Sequence, residues 1–391
     1  ARGSRLEGVV MRRLGLVSLV LFVGVYLWLS FAAKQEPDGD AQAEILLEEQ
    51  LAAWNDPETR EAQRARLRRY NPEWDFMQRT FLVLSLADAA LAHPERKDEL
   101  LAVMDGIIEE TLDDEAAHGQ RYFLMAYADD APFIDPDGRS VFVDGEIAMM
   151  LGARRLVRED PELATLHRER NASIVDQFEA SPALLPESYP DEAWLFCNTN
   201  ALVALRMADA MDDSDHSDLV DRWVARARRR LVEPSTGMLG SEFTWSGQVM
   251  DGPEGSSVWL VAVNLLVLDE AFGRDQYERA HEALVDDFMD LAYAREWGPG
   301  WQGPVDVDSG PIVPFLDASP SSSGFALMAS RAFGDEPTHQ ALVRSLDVAD
   351  TLVRVVPHMM SMADNAVGDA VLLHALTFGP LWRKLEHMVG E

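Results

Sequence analysis

The feature that most limits how this chain can fold is a two-beat alternation of helices. Apolar positions recur at helical spacing nearly throughout, and strand-like alternation is scarce. One helix type is charged and amphipathic, over residues 43–68, 95–113, 161–178, 217–231, 276–292 and 337–353. The other is far more apolar, rich in Ala, Leu and Met, over residues 74–92, 145–157, 193–210, 256–272, 321–333 and 366–378. An amphipathic helix belongs at a surface, whereas one apolar on nearly all sides has to be buried. Six alternations therefore predict an all-α (α/α)6 toroid, with inner helices around a central axis and outer helices wrapping them; an irregular helical bundle is the competing reading.

Ahead of this body, residues 14–33 run for twenty positions without a charge, long enough to cross a bilayer as a helix. Arg12 and Arg13 precede the run, and Glu36, Asp38 and Asp40 follow it. The positive-inside rule then expects a single-pass anchor with a cytoplasmic N-terminus and an extracytoplasmic main domain. A cleaved signal peptide is the rival, though the run is long for one. Met11-Arg12-Arg13 looks like a natural start, so the expected organisation is a cytoplasmic N-terminus over 1–13, an anchor over 14–33, a linker over 34–42 and one catalytic body over 43–391.

Charge excludes one class of partner. With 34 Lys plus Arg against 67 Asp plus Glu, the net charge is −33, and no basic face large enough for nucleic acid is expected. The single Cys197 excludes an intrachain disulfide and a Cys-cluster metal site. No nucleophile-elbow Gly-x-Ser-x-Gly, phosphate-binding Gly-rich loop or His-Glu-x-x-His occurs. What remains is carboxylates, Tyr, amides, Trp and one thiol, a set suited to general acid/base work without a metal or cofactor.

The segments leading into the apolar helices each carry an acid, as in Asn71-Pro72-Glu73-Trp74-Asp75, Phe142-Val143-Asp144-Gly145-Glu146 and Asp251-Gly252-Pro253-Glu254-Gly255-Ser256. Capping alone explains an acid or Ser at a helix start. It does not explain the accompanying Trp and Tyr, nor the long segments 239–255 and 297–319, and loops of that length usually serve function. A pocket is therefore expected where the lead-ins converge. Candidates for chemistry there are Asp144, Glu254, Tyr189, Cys197 and Asp308, the last favoured over Asp306 because a Ser-Gly-Pro turn follows it. Candidates for contact with substrate are Glu146, Trp194, Trp245, Trp259, Trp301 and Asp364. From Asp191, helical spacing puts Trp194 and Asn198 on one face, so Asn198 is expected to face the lumen and Asn200 to be a paired structural amide.

The densest of these segments, Ser188-Tyr189-Pro190-Asp191 through Cys197-Asn198, resembles the linalool dehydratase/isomerase family. The resemblance implies a six-hairpin toroid in which a Cys-Asn pair stands nine residues after a second Cys. Cys197 matches the first of these, and Ser188 stands where the second thiol would be. It also implies elimination or isomerisation of a hydrophobic, isoprenoid-type alcohol, with Cys197 in proton transfer. The residues themselves leave two other readings open: a glycoside hydrolase or lyase using two mouth carboxylates, and an anchored extracytoplasmic binding protein. A small hydrophobic substrate, the membrane and a second copy of the chain are the expected partners.

Overall fold

The structure, a computed structural model, describes residues 38–298, 306–307, 310–313, 317–355 and 366–390. Helices dominate it, as the alternation predicts. In chain order they are α1 Gly39–Asn55, α2 Pro57–Tyr70, α3 Pro72–Ala92, α4 Lys97–His118, α5 Val141–Val157, α6 Pro161–Ala180, α7 Leu195–Met211, α8 Ser217–Arg226, α9 Gly255–Leu268, α10 Glu270–Leu284, α11 Pro320–Ala332, α12 Glu336–Val355, α13 Ala366–Thr377 and α14 Pro380–Val389. Local signals set the starts. Asn71, Asp160 and Ser319 each accept a backbone N–H in the first turn, and each is followed by a Pro whose missing N–H costs nothing there.

The apolar helices form a closed order of neighbours. α3 packs on α5, α5 on α7, α7 on α9, α9 on α11, α11 on α13, and α13 returns to α3. In α5 every residue is buried, and in α3, α7 and α9 most are, polar ones included. α14, which the periodicity did not reveal, packs on α3, α5, α7 and α9. Its Leu381 N–H donates to Asp88 near the end of α3 at 2.7 Å, and Lys384 Nζ donates to the carbonyl of Leu156 near the end of α5 at 2.5 Å. It therefore covers the C-terminal ends of the inner helices and leaves their N-terminal ends as the accessible mouth.

Three expected helices differ. Residues 43–68 are two helices, because Asp56 precedes Pro57 and takes an extended conformation. Residues 256–272 are likewise interrupted at Asp269, whose side chain caps α10 by accepting the N–H of Phe272. Residues 276–292 leave the helix at Leu284 and form a hairpin, β4 Val285–Phe288 with β5 Leu291–Ala294, turning through Met289 and Asp290 at φ 52° and 64°. Before α9, β1 Ala193–Trp194, β2 Glu242–Phe243 and β3 Val249–Asp251 form a small antiparallel sheet. A last pair is β6 Asp306–Val307 with β7 Gly310–Pro311. No described helix is long and apolar enough to cross a membrane; the expected anchor over 14–33 lies outside the described residues.

Candidate active site

A cavity of about 820 Å³ opens at the mouth. Its walls come from the starts of α3, α7, α9, α11 and α13, from the small sheet, and from the outer helix α12. Trp74, Met77, Phe142, Trp194, Phe196 and Phe325 make much of the surface apolar.

On the α3/α7 side the cavity meets Glu73, Ser188, Tyr189 and Cys197. The Tyr189 hydroxyl donates to Glu73 and accepts the N–H of Met125 at 2.8 Å, and its ring stacks on Tyr127 with centroids 4.7 Å apart. Burial and the Glu73 charge push the Tyr189 phenol upward, so it is a proton donor. Ser188 Oγ accepts the N–H of Trp194 at 3.2 Å. Its hydroxyl also hydrogen-bonds to Cys197, which favours the thiolate, but burial outweighs this, and the charges of Glu146 and Glu73 act with burial. Cys197 is therefore held as the neutral thiol.

On the α9 side lie Glu242, Asp251, Glu254 and Glu296. The sheet assembles part of this group by pairing Trp194 with Glu242 and Glu242 with Asp251. Glu296 reaches in from beyond β5. Its two oxygens accept from the Ser256 N–H at 2.9 Å, the Ser256 hydroxyl at 2.5 Å and the Ser319 hydroxyl at 2.6 Å. The chain can come this close only because residue 255 is Gly: a Cβ there would stand 2.2 Å from Ser322 Oγ and 2.3 Å from the carbonyl of Arg295. Among the described residues no Lys or Arg forms an ion pair with any of these four acids. Glu254 is pushed up to about 9, first by burial and then by Asp251, Glu296 and Glu242. Burial and its neighbours Glu192 and Asp251 push Glu242 up to about 7. Glu254 therefore carries a proton at neutral pH, which a solvated carboxylate does not.

The residues expected at the site divide. Cys197, Tyr189, Glu254 and Trp194 line the cavity. Asp144 does not: it is fully buried and accepts from Arg139, Arg170, Gln120 and Gln177 at 2.5–2.8 Å. Asn198 is also off the lumen, since its amide donates to the carbonyls of Pro186 and Trp194 at 3.1 and 3.0 Å. β1 causes this difference: α7 starts only at Leu195, so the helical projection from Asp191 does not apply. Asn200 is the paired amide, donating to Glu146 at 2.7 Å and accepting from Asn264 at 2.6 Å. Glu146 is fully buried among these groups and does not line the cavity; burial pushes it up to about 7. Trp259 is buried behind the wall, with its Nε1 donating to Ser322 Oγ at 3.0 Å. Trp245 lies outside the lining, its backbone N–H on Asp191 at 3.2 Å. Trp301, Asp308 and Asp364 lie outside the described residues. Glu73, Glu242, Asp251 and Glu296 were not singled out by sequence reasoning. The signal present for Glu73 was its place beside Trp74 in a lead-in, and for Asp251 its place at the head of the lead-in that holds Glu254; Glu242 and Glu296 sit far in sequence from the helix start they serve. Among the described residues no group of three or more His, Cys, Asp or Glu is arranged to hold a metal ion.

Buried helices in a closed order of contacts bound a mainly apolar cavity with proton-bearing carboxylates and a neutral thiol in its wall, groups able to give and take protons. Residues 165–354, just under half of the chain, match the model of the linalool dehydratase/isomerase family, to which this segment is therefore similar. The matched segment contains Ser188, Cys197, Glu242, Asp251, Glu254 and Glu296. The matched family is one of enzymes, and the resemblance read from the Cys-Asn segment extends well beyond that segment.

Proposed function

We propose that the protein is a dehydratase/isomerase that eliminates or rearranges a hydrophobic allylic alcohol, within an (α/α)6 toroid held to a membrane by residues 14–33. The toroid is supported by the closed order of inner-helix contacts, and the anchor by the sequence alone. The observation that carries the reaction is Glu254, a carboxylic acid that keeps its proton at neutral pH and opens onto a mainly apolar cavity shared with Cys197.

In this mechanism Glu254 gives its proton to the substrate hydroxyl. The C–O bond breaks, water leaves, and an allylic cation remains against the faces of Trp74, Trp194 and Phe196, whose π-electrons stabilise positive charge. A base on the opposite side removes a proton from the neighbouring carbon, forming the diene; Glu73, oriented by Tyr189, is positioned for this, with Cys197 as a partner in proton transfer. Return of water to the other end of the allylic cation gives the isomer. No cofactor enters this scheme. The mainly apolar walls weigh against a carbohydrate substrate, which needs polar partners along its length.

The test is gas chromatography of the products formed from linalool and related allylic alcohols by the purified protein. We expect diene and rearranged alcohol, and a 10- to 100-fold lower kcat/KM for Cys197→Ala and Cys197→Ser. Absence of turnover with every allylic alcohol would overturn the reading, and full activity of Cys197→Ala would remove the thiol from the mechanism.

A further inference from the structure

The cavity does not end near the reacting groups. α7 and α13 are three steps apart in the closed order of six inner helices, so they face each other across the ring. Cys197 stands at the start of α7. The same cavity is also bounded by residues of α11, α13 and the outer helix α12. This part is lined by Gly324 and Leu327 of α11, Leu342 and Leu346 of α12, and Val371 and Leu372 of α13. The Ser345 hydroxyl in its wall is already committed, accepting the N–H of Ala292 at 3.0 Å and donating to the carbonyl of Ala341 at 3.1 Å. Gly324 keeps the passage open: a Cβ there would meet only Val371 Cγ1, at 3.6 Å, so anything longer has to extend into the passage or against α13.

Size points the same way. At about 30 Å³ per water-sized group, the eleven heavy atoms of a ten-carbon alcohol occupy about 330 Å³. That is well under half of the 820 Å³ present.

We infer that the limb between α11, α12 and α13 is a tail slot, and that the substrate is an elongated isoprenoid alcohol of fifteen or more carbons, its hydroxyl end between Glu254 and Cys197 and its chain reaching α12. This rests on the dehydratase/isomerase reading for the reaction but not for the shape of the ligand. Each methylene taken from water into such a slot is worth about 0.8 kcal/mol, or roughly fourfold in kcat/KM.

The experiment compares kcat/KM for ten-, fifteen- and twenty-carbon acyclic allylic alcohols, alongside equilibrium binding of saturated n-alkanols of ten to twenty carbons followed by tryptophan fluorescence. We expect kcat/KM to rise at least tenfold from ten to fifteen carbons, and alkanol affinity to rise with length. Gly324→Phe and, from the other wall, Leu346→Trp should each lower the fifteen-to-ten-carbon ratio at least tenfold. A ratio near one in the unaltered protein, or a ratio the two variants leave in place, would overturn the slot while leaving the reaction standing. If no alcohol is turned over, the reaction is wrong, and the alkanol series still decides: length-dependent binding weakened by Leu346→Trp supports the slot, and length-independent binding overturns it.

Discussion

Two acids that look alike in sequence have opposite surroundings. Asp144 and Glu254 both stand in segments leading into an apolar helix; Asp144 is fully buried and Glu254 is half-buried in the cavity wall. Asp144 is surrounded by donors, with the guanidinium groups of Arg139 and Arg170 and the amides of Gln120 and Gln177 on its two oxygens. Glu254 has Asp251, Glu242 and Glu296 around it instead. A carboxylate held by guanidinium and amide donors ties elements together, whereas Glu254, among other carboxylates, keeps a proton. The first arrangement braces α4, α5 and α6, and the second leaves a proton to transfer at the edge of an apolar cavity.

The comparison breaks most visibly at Glu254. Glu254→Gln retains the shape and removes the transferable proton, so kcat/KM on an allylic alcohol should fall by about 10²–10⁴-fold, the usual contribution of general acid catalysis. Because the acid has to be protonated to act, activity of the unaltered enzyme should be lost as pH rises through about 9. A flat profile to pH 10 would remove Glu254 from the acid role.

Asp144→Ala should show the reverse pattern. Leaving Arg139 and Arg170 without their buried partner should cost about 3–5 kcal/mol of stability in urea denaturation. The activity per folded molecule should change far less than in Glu254→Gln. Equal losses of activity in the two variants would erase the distinction drawn here.

A smaller effect is expected at Asp88, a third acid, which lies buried at the closed end beneath α14. It is pushed up to about 7, chiefly by burial, although it accepts the N–H of Leu381. Its pKa in the unfolded chain is the ordinary 3.8, so between about pH 4 and 7 the folded state holds a proton that the unfolded state has released. Stability from this group is thus full below pH 4 and declines as pH rises through 7. Asp88→Asn should reduce the loss of stability between pH 5 and 8 by about 2 kcal/mol, read from denaturation midpoints. An unchanged pH dependence would show that burial is not what holds the proton on Asp88, against the opposing charges of Arg331 and Arg383.

Much of the helical framework was legible because its causes are local. Apolar spacing marked the inner helices, and Asn71-Pro72, Asp160-Pro161 and Ser319-Pro320 marked starts that the structure places within a residue or two. The failures were local as well. Pro57 cut a helix that periodicity alone extended, and the stretch after Leu284 turned into a hairpin although charges on both sides resembled an outer helix. The site was legible only in part. Cys197, Tyr189, Trp194 and Glu254 were reachable from one dense segment and one lead-in. Glu242 and Glu296 were not, because their importance comes from β2 and the chain beyond β5 being folded against α9.

By itself, then, the sequence determined the alternation of buried and surface helices, their caps, and a surplus of acid with one thiol. Those properties depend on residues within a turn or two of each other. Only the tertiary structure decided which acids received cations and which received other acids, since Asp144 is neutralised by an arginine 26 positions away and Glu254 is pressed by a glutamate 42 positions away. Coulomb energies and desolvation act through space, and which charges meet is set when the ring closes.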